Sequence, residues 1–355
     1  VTPPRPSRVP HAPHAPRSRA PADDATLALL LEVAGTPKPG NVDRHRDLAD
    51  LRFEAFLGGA VGARDGIERA ARGGAVGHAF ERAVAGMAAR AGTNTQFGCL
   101  LLLIPLLRAT DDGDLSPDGL DRVTRGTTVD DAVAFYRAFE HVDVAVGDPP
   151  DDAADLDVRC GGDAEPTLRD RGLTLRDVLA TSAVVDGSAD GGTGDRVPDR
   201  NAQEWVGGFP RTFRAAEWIC ADEGPLTDRT ARAFLGLLAT EPDTLVATAH
   251  GPGVACEASA EARAIVSAGQ DVPDAEFVPD AEFVPDAEFV PDAEFVPDAD
   301  AVHAVDLDAV EELATSFVDR GINPGTTADL TCAALYVALR RGASLDGSDR
   351  NGVDT

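Results

Sequence analysis

Four short stretches hold the residues whose types and spacing could do chemistry. In the first, TPKPGNVDRHRD (36–47), Lys38 stands between two prolines, Gly40 and Asn41 follow, and Asp43, His45 and Asp47 come at two-residue steps. Lys38 is the only lysine in 355 residues, every other positive side chain being arginine. An ammonium is a compact point charge that can approach a phosphate or lose its proton when buried, whereas a guanidinium is a wide fork, so the exception marks a site. Pro37 and Pro39 hold the residues before them extended, which makes the loop stiff. The second stretch, GTNTQFG (92–98), offers Asn94 and Thr95, an amide and a hydroxyl able to cap the helix that follows or to face a ligand. The third, NAQEWVGGFPRTF (201–213), supplies Glu204 on a short turn.

The fourth stretch, GINPGTTADL (321–330), has the plainest physics. Asn323 can cap a helix, Pro324 suits its first position, and Gly325, Thr326 and Thr327 would then present N–H groups with little bulk in the way, ahead of Asp329. Such a helix start attracts anions, although an ordinary cap uses the same residues. Taken together, the stretches suggest an enzyme that handles a phosphorylated substrate. Lys38 and the Gly325 helix start would hold anions, leaving Asp43, Asp47 or Glu204 for Mg²⁺ or proton transfer.

The elements that must position these residues read as helices. Leu27, Leu30, Leu31 and Ala34 share a face, with Asp23 or Asp24 as a cap and Gly35 as a stop, and Phe53, Phe56, Leu57, Ala60 and Ile67 form a second helix. The spacing predicts further helices over 75–90, 95–108, 129–142, 174–182, 209–221, 227–240, 254–268, 307–320 and 324–341. Alternating strand patterns are almost absent, so the expected class is all-α. The run CLLLLIPLL (99–107) is apolar on every side and reads as a central buried helix that Pro105 should kink by freeing a carbonyl one turn back.

One helical domain over 23–345 is expected, with disordered tails at 1–22 and 346–355. Acidic, Gly-rich surface insertions are expected near 148–170 and 186–201. Four copies of AEFVPD within 271–300 place a proline at every sixth residue, which rules out a continuous helix and predicts an extended linker.

The net charge of −29 argues against nucleic-acid binding, because a phosphate backbone needs a basic footprint. An acid excess of this size resembles the composition of proteins that work in brine. An anionic substrate would then need a local basic pocket set against the global field. Five scattered cysteines form no CxxC pair, and no run is long enough to cross a bilayer, so a soluble, cytoplasmic protein is expected. The sequence leaves room for a homo-oligomer.

The four stretches, in this order, resemble the ATP:dephospho-CoA triphosphoribosyltransferases, also called triphosphoribosyl-dephospho-CoA synthases. TPKPGNVD is similar to the family's TPKPGLVD, and His45-x-Asp47 falls on its His-x-Asp. GTNTQFG resembles GVNTHKG, QEWVGGFP the Glu-containing GFP segment, and INPGTTADL the SPGGSADL motif. The resemblance implies an all-helical enzyme in which the 2′-hydroxyl of dephospho-CoA attacks the ribose of ATP and adenine leaves. It also implies Mg²⁺ accompanying ATP, with Asp43 and Asp47 as candidate ligands. Lys38, Asp43, His45, Asp47 and Glu204 would be catalytic, and Gly40, Asn41, Asn94, Thr95, Asn323, Gly325, Thr326, Thr327 and Asp329 would bind the nucleotide.

Gln96-Phe97 replaces the family's His-Lys, and Val206 stands where a second acid would be. Both features, with DTLVATAHG carrying Asp243 and His250, are closer to an archaeal-type branch. Two alternatives remain at this point: another phosphate- or nucleotide-dependent step of coenzyme synthesis, and a non-catalytic helical binding protein. An all-α metal phosphohydrolase is excluded, because the chain contains no His-Asp dipeptide.

Overall fold

The computed structural model describes residues 19–147, 149, 151–183, 197–268 and 295–346. Among them lie seventeen α-helices and no β-strand, the single Asp43–Arg46 bridge apart. The first seven helices are α1 (Pro21–Ala34), α2 (Phe53–Gly62), α3 (Arg64–Ala70), α4 (Val76–Ala91), α5 (Phe97–Asp111), α6 (Pro117–Arg125) and α7 (Val129–Ala138). After two 3₁₀ turns come α8 (Glu165–Arg171), α9 (Leu175–Ala183), α10 (Arg200–Gly207), α11 (Pro210–Ala221) and α12 (Leu226–Thr240). The chain ends with α13 (Thr244–His250), α14 (Pro252–Ala268), α15 (Ala299–His303), α16 (Leu307–Arg320) and α17 (Gly325–Arg340).

All the helices expected from the apolar spacing are present, with end shifts of a few residues. Four departures have physical reasons. The helix from Phe53 breaks at Ala63 into α2 and α3, which lets both pack on α4. The first helix begins at Pro21, inside the expected tail, so Asp23 and Asp24 lie in its first turn and cap nothing. The 148–170 stretch carries two 3₁₀ turns and α8 where described, and although many of its side chains are exposed, Leu168 is buried and anchors it to the body. The 186–201 insertion must end earlier, because Arg200 starts α10 and Asn201 is buried.

Residues 186–196 of that insertion, the tail up to 18, the C-terminal tail from 347 and all of the repeat before Phe295 lie outside the described residues. In the last copy, Phe295 packs against a core beneath α14, with the Arg263 guanidinium 4.6 Å from its ring, and Asp298 caps α15.

Two helices organise the interior. In α5 every side chain from Cys99 to Leu107 is buried. Pro105 has no N–H to give, which orphans the Leu101 carbonyl, and the indole N–H of Trp205 on α10 donates to that carbonyl at 3.2 Å. The expected break in the ladder thus ties α10 to α5. The other interior helix, α17, packs against α1, α5, α10, α11, α12 and α13. Ala328 belongs to a core with Phe234, Val310 and Phe317, whereas Leu330 belongs to the larger core with α1, α4 and α5, so the first turns of α17 lie on the seam between them. No described helix is long and apolar enough to cross a membrane.

Candidate active site

The 36–47 loop turns back on itself beneath α1, over a small cluster of Val33, Val42 and Phe56. Asp43 is the loop's organiser. It is fully buried and accepts from the Thr36 hydroxyl (2.9 Å), the Lys38 N–H (3.3 Å), the His45 N–H (2.8 Å) and the Arg46 guanidinium (2.9 Å). A carboxylate so committed is a poor base and a poor metal ligand, which corrects the sequence expectation. His45 and Asp47 are exposed, and Asp47 accepts from the Phe53 N–H at 2.8 Å, holding the start of α2. Among the described residues no three His, Cys, Asp or Glu side chains gather into a metal cluster.

Lys38 is also placed differently from expectation. Its ammonium is fully buried, pairs with Glu32 on α1, donates to Asn41 Oδ1 at 2.9 Å and lies 6.0 Å from the Phe234 ring centroid. Burial pushes the Glu32 carboxyl up, and Lys38 offsets this only in part. The loop still reaches the fourth stretch. Asn41 Nδ2 donates to Asn323 Oδ1 at 3.0 Å, and Gly40, at φ 69°, passes so close that a Cβ there would lie 1.9 Å from the Ile322 carbonyl. Asn323 therefore braces the loop and caps nothing; Pro324 occupies the N-cap position.

The helix start that was expected to attract an anion is met by a carboxyl group of the chain itself. Asp243, just ahead of α13, accepts from the Thr327 N–H (2.7 Å) and hydroxyl (2.8 Å) with one oxygen and caps α13 through Leu245 and Val246 with the other. Glu204 behaves in the same way at α11. Gly208 and Phe209, both at positive φ, wrap the chain so that Glu204 accepts from the N–H groups of Arg211 (3.2 Å) and Thr212 (2.9 Å). Glu204 is fully buried, not open to a substrate, and burial pushes its carboxyl up, as it does that of Asp243. Asn94 is a plain cap, accepting from the Phe97 N–H at 3.2 Å, while the neighbouring Thr95 hydroxyl is buried without a hydrogen-bond partner. His250 lies at the surface with its ring nitrogen 3.0 Å from the Gly321 carbonyl.

The residue on which the stretches converge is Asp329, in the second turn of α17. Asn201 of the third stretch donates to it at 2.9 Å, and the Cys99 thiol, just after the second stretch, donates at 3.2 Å. Gly98 is there by necessity, since a Cβ would lie 1.8 Å from Asp329 Oδ2. Asp329 is part-buried and has no cation against it among the described residues; burial pushes its carboxyl up to about 7, with Asp243 and Glu32 adding to the rise. Cys332 beside it and burial keep the Cys99 thiol protonated, so it donates.

Next to Asn201 runs a cleft lined by Arg200, Arg211 and Arg214, with Glu241, Thr326 and Thr327 among its other walls. Sequence reasoning chose Glu204 from this stretch and passed over Arg200 and Arg211, because arginine is the ordinary cation of the chain and carries no signal by type. Only the need for a local basic pocket pointed to them.

Among curated proteins none matches significantly in sequence. A solved structure, that of a candidate triphosphoribosyl-dephospho-CoA synthase from Archaeoglobus fulgidus, shares the fold with a TM-score of 0.56 and 20% identity over 81% of this chain and 99% of that one. The family model described as CitG, ATP:dephospho-CoA triphosphoribosyl transferase, matches residues 18–283 and 287–347. The match runs through all four stretches and covers most of the sequence, and the chain belongs to the ATP:dephospho-CoA triphosphoribosyl transferase family.

Proposed function

We infer that the protein transfers the triphosphoribosyl group of ATP to the 2′-hydroxyl of 3′-dephospho-CoA and releases adenine. The observation that carries this reading is the family match, which includes every segment gathered around α17. The neighbouring readings, another coenzyme-synthesis step or a non-catalytic helical protein, are not favoured by it.

The reaction is a displacement at the ribose anomeric carbon. The bond to adenine breaks, the bond to the acceptor oxygen forms, and the hydroxyl proton must leave. Charge resembling an oxocarbenium ion develops in between, so a nearby carboxylate and a fixed triphosphate lower the barrier. Asp329 suits the proton transfer: it accepts from the neutral donors Asn201 and Cys99, and burial leaves it balanced between its two protonation states near neutral pH. Asp43 and Glu204 are committed to backbone and side-chain donors.

Magnesium would enter as the counter-ion of the triphosphate, since Mg²⁺ is usually held by substrate phosphates and only one or two carboxylates. The acid-rich composition sets the conditions of assay: purified protein in concentrated salt, with ATP, Mg²⁺ and dephospho-CoA, should release one adenine per acceptor consumed. Folded protein that releases none contradicts the reading.

A further inference from the structure

We propose that the cleft between α10, α11, α12 and α17 is a polyphosphate-binding site in which Arg200, Arg211 and Arg214 take the phosphate oxygens. The ligand class rests on the transfer reading; the site itself rests on the charge arrangement. In a chain of net charge −29, three guanidiniums line one cleft. Two of them converge on a single carboxylate: Arg211 is forked onto Glu241 at 2.7 and 2.8 Å, and Arg200 reaches it at 2.7 Å. Burial pushes Glu241 up, yet Arg211, Arg200 and Arg214 together hold it below the usual range, so all three positive charges act there.

The other acid of the wall, Asp243, is turned onto the N–H groups of α13 and α17, and burial pushes it toward the protonated form. Glu204, which does not line the cleft, takes one bond from the Arg211 guanidinium at 3.3 Å and otherwise accepts from the Arg211 and Thr212 N–H groups. Arg200 reaches Gln203 Oε1 at 3.0 Å as well as Glu241, yet part of its guanidinium is left over. Burial pushes its pKa down, and its Nε is buried with no hydrogen-bond partner among the described residues. Charge-assisted bonds from guanidinium forks to phosphate oxygens are the contacts such a group lacks.

The cleft also lies in register with the proposed chemistry. Arg200 precedes Asn201, which holds Asp329, and Thr326 and Thr327 lie one turn before Asp329 on α17. A phosphate chain seated on the arginines would lead its ribose toward that carboxylate. Glu241 occupies the place of one phosphate group when the cleft is otherwise unfilled. Lys38, locked to Glu32, lines no part of this cleft.

The test uses inorganic tripolyphosphate with the full chain in concentrated KCl. Calorimetry should show binding to the wild type, and Arg200→Gln and Arg214→Gln should each weaken it about 10- to 100-fold, the loss of one charged hydrogen-bonding group. Inhibition of adenine release identifies the natural source. Competition against ATP assigns the triphosphate, and competition against dephospho-CoA assigns its diphosphate.

Should either variant fail to fold, phenylglyoxal labelling of the wild type replaces it, with tripolyphosphate expected to protect Arg200, Arg211 and Arg214. Unchanged affinity in folded variants, or labelling that tripolyphosphate leaves unaltered, overturns the proposal. Tripolyphosphate binding without any adenine release would instead remove the transfer reading and leave the site. Normal adenine release with an unaltered KM for both ATP and dephospho-CoA in both variants would do the reverse.

Discussion

At the Lys38 loop every buried charge meets its counterpart. Glu32 faces Lys38, and Asp43 faces Arg46 and three neutral donors. Around Asp329 the balance is left open. Among the described residues a carboxylate there has only neutral donors, and in the adjoining cleft, which begins at Arg200 beside its Asn201 partner, Arg200 and Arg211 share Glu241. The two regions are built from the same materials, helix ends and charged side chains pressed against a core, and both lie within the family's signature stretches. The difference teaches that a signature residue with its charge satisfied at home holds the fold, whereas one left unbalanced is available to a substrate.

That comparison can be broken at several points. The largest effect should come from Lys38→Met, which leaves Glu32 buried without its cation and should cost about 3–5 kcal/mol in chemical denaturation. Adding Glu32→Leu should recover most of it, and a single variant as stable as the wild type would refute the structural reading of the pair. Asp243→Ala removes the carboxylate that ties α13 to the first turn of α17 and should cost about 1–3 kcal/mol by the same measurement.

Asp47→Ala should cost about 0.5–2 kcal/mol, the loss of a carboxylate holding a helix start. It should leave adenine release unchanged, and a large loss of activity would return Asp47 to the chemistry. The smallest effect is in the pH dependence of stability. Asp329 lies at about 7 when folded against an ordinary 3.8, so between those values the folded protein keeps a proton that the unfolded chain has lost. Its contribution to stability is therefore full below about 4 and is lost as pH rises through about 7. Asp329→Asn should flatten that decline in melting temperature, while Glu32, Glu204 and Asp243, shifted in the same direction, keep the rest of it.

Much of this was legible in the sequence. The helices carry their apolar period on the surface of the sequence, and the free carbonyl expected before Pro105 is the one Trp205 uses. The four stretches were found because Gly, Pro and lone polar groups stand out at helix boundaries. What could not be read was which carboxylate would be neutralised by whom. Glu32 lies on an otherwise ordinary helix, yet it claims the one lysine; Asp243 comes from 84 residues away to fill the helix start that seemed open. Partner choice is a tertiary matter, and it decides whether a charge is structural or reactive.

The most direct measurement is the pH dependence of adenine release by wild type and Asp329→Asn, side by side, with folding verified by circular dichroism. The wild-type rate should inflect near pH 7, and the variant should fall about 100- to 10,000-fold and lose the inflection, as removal of a proton-transfer group does. A folded variant that keeps both the rate and the inflection would contradict the account.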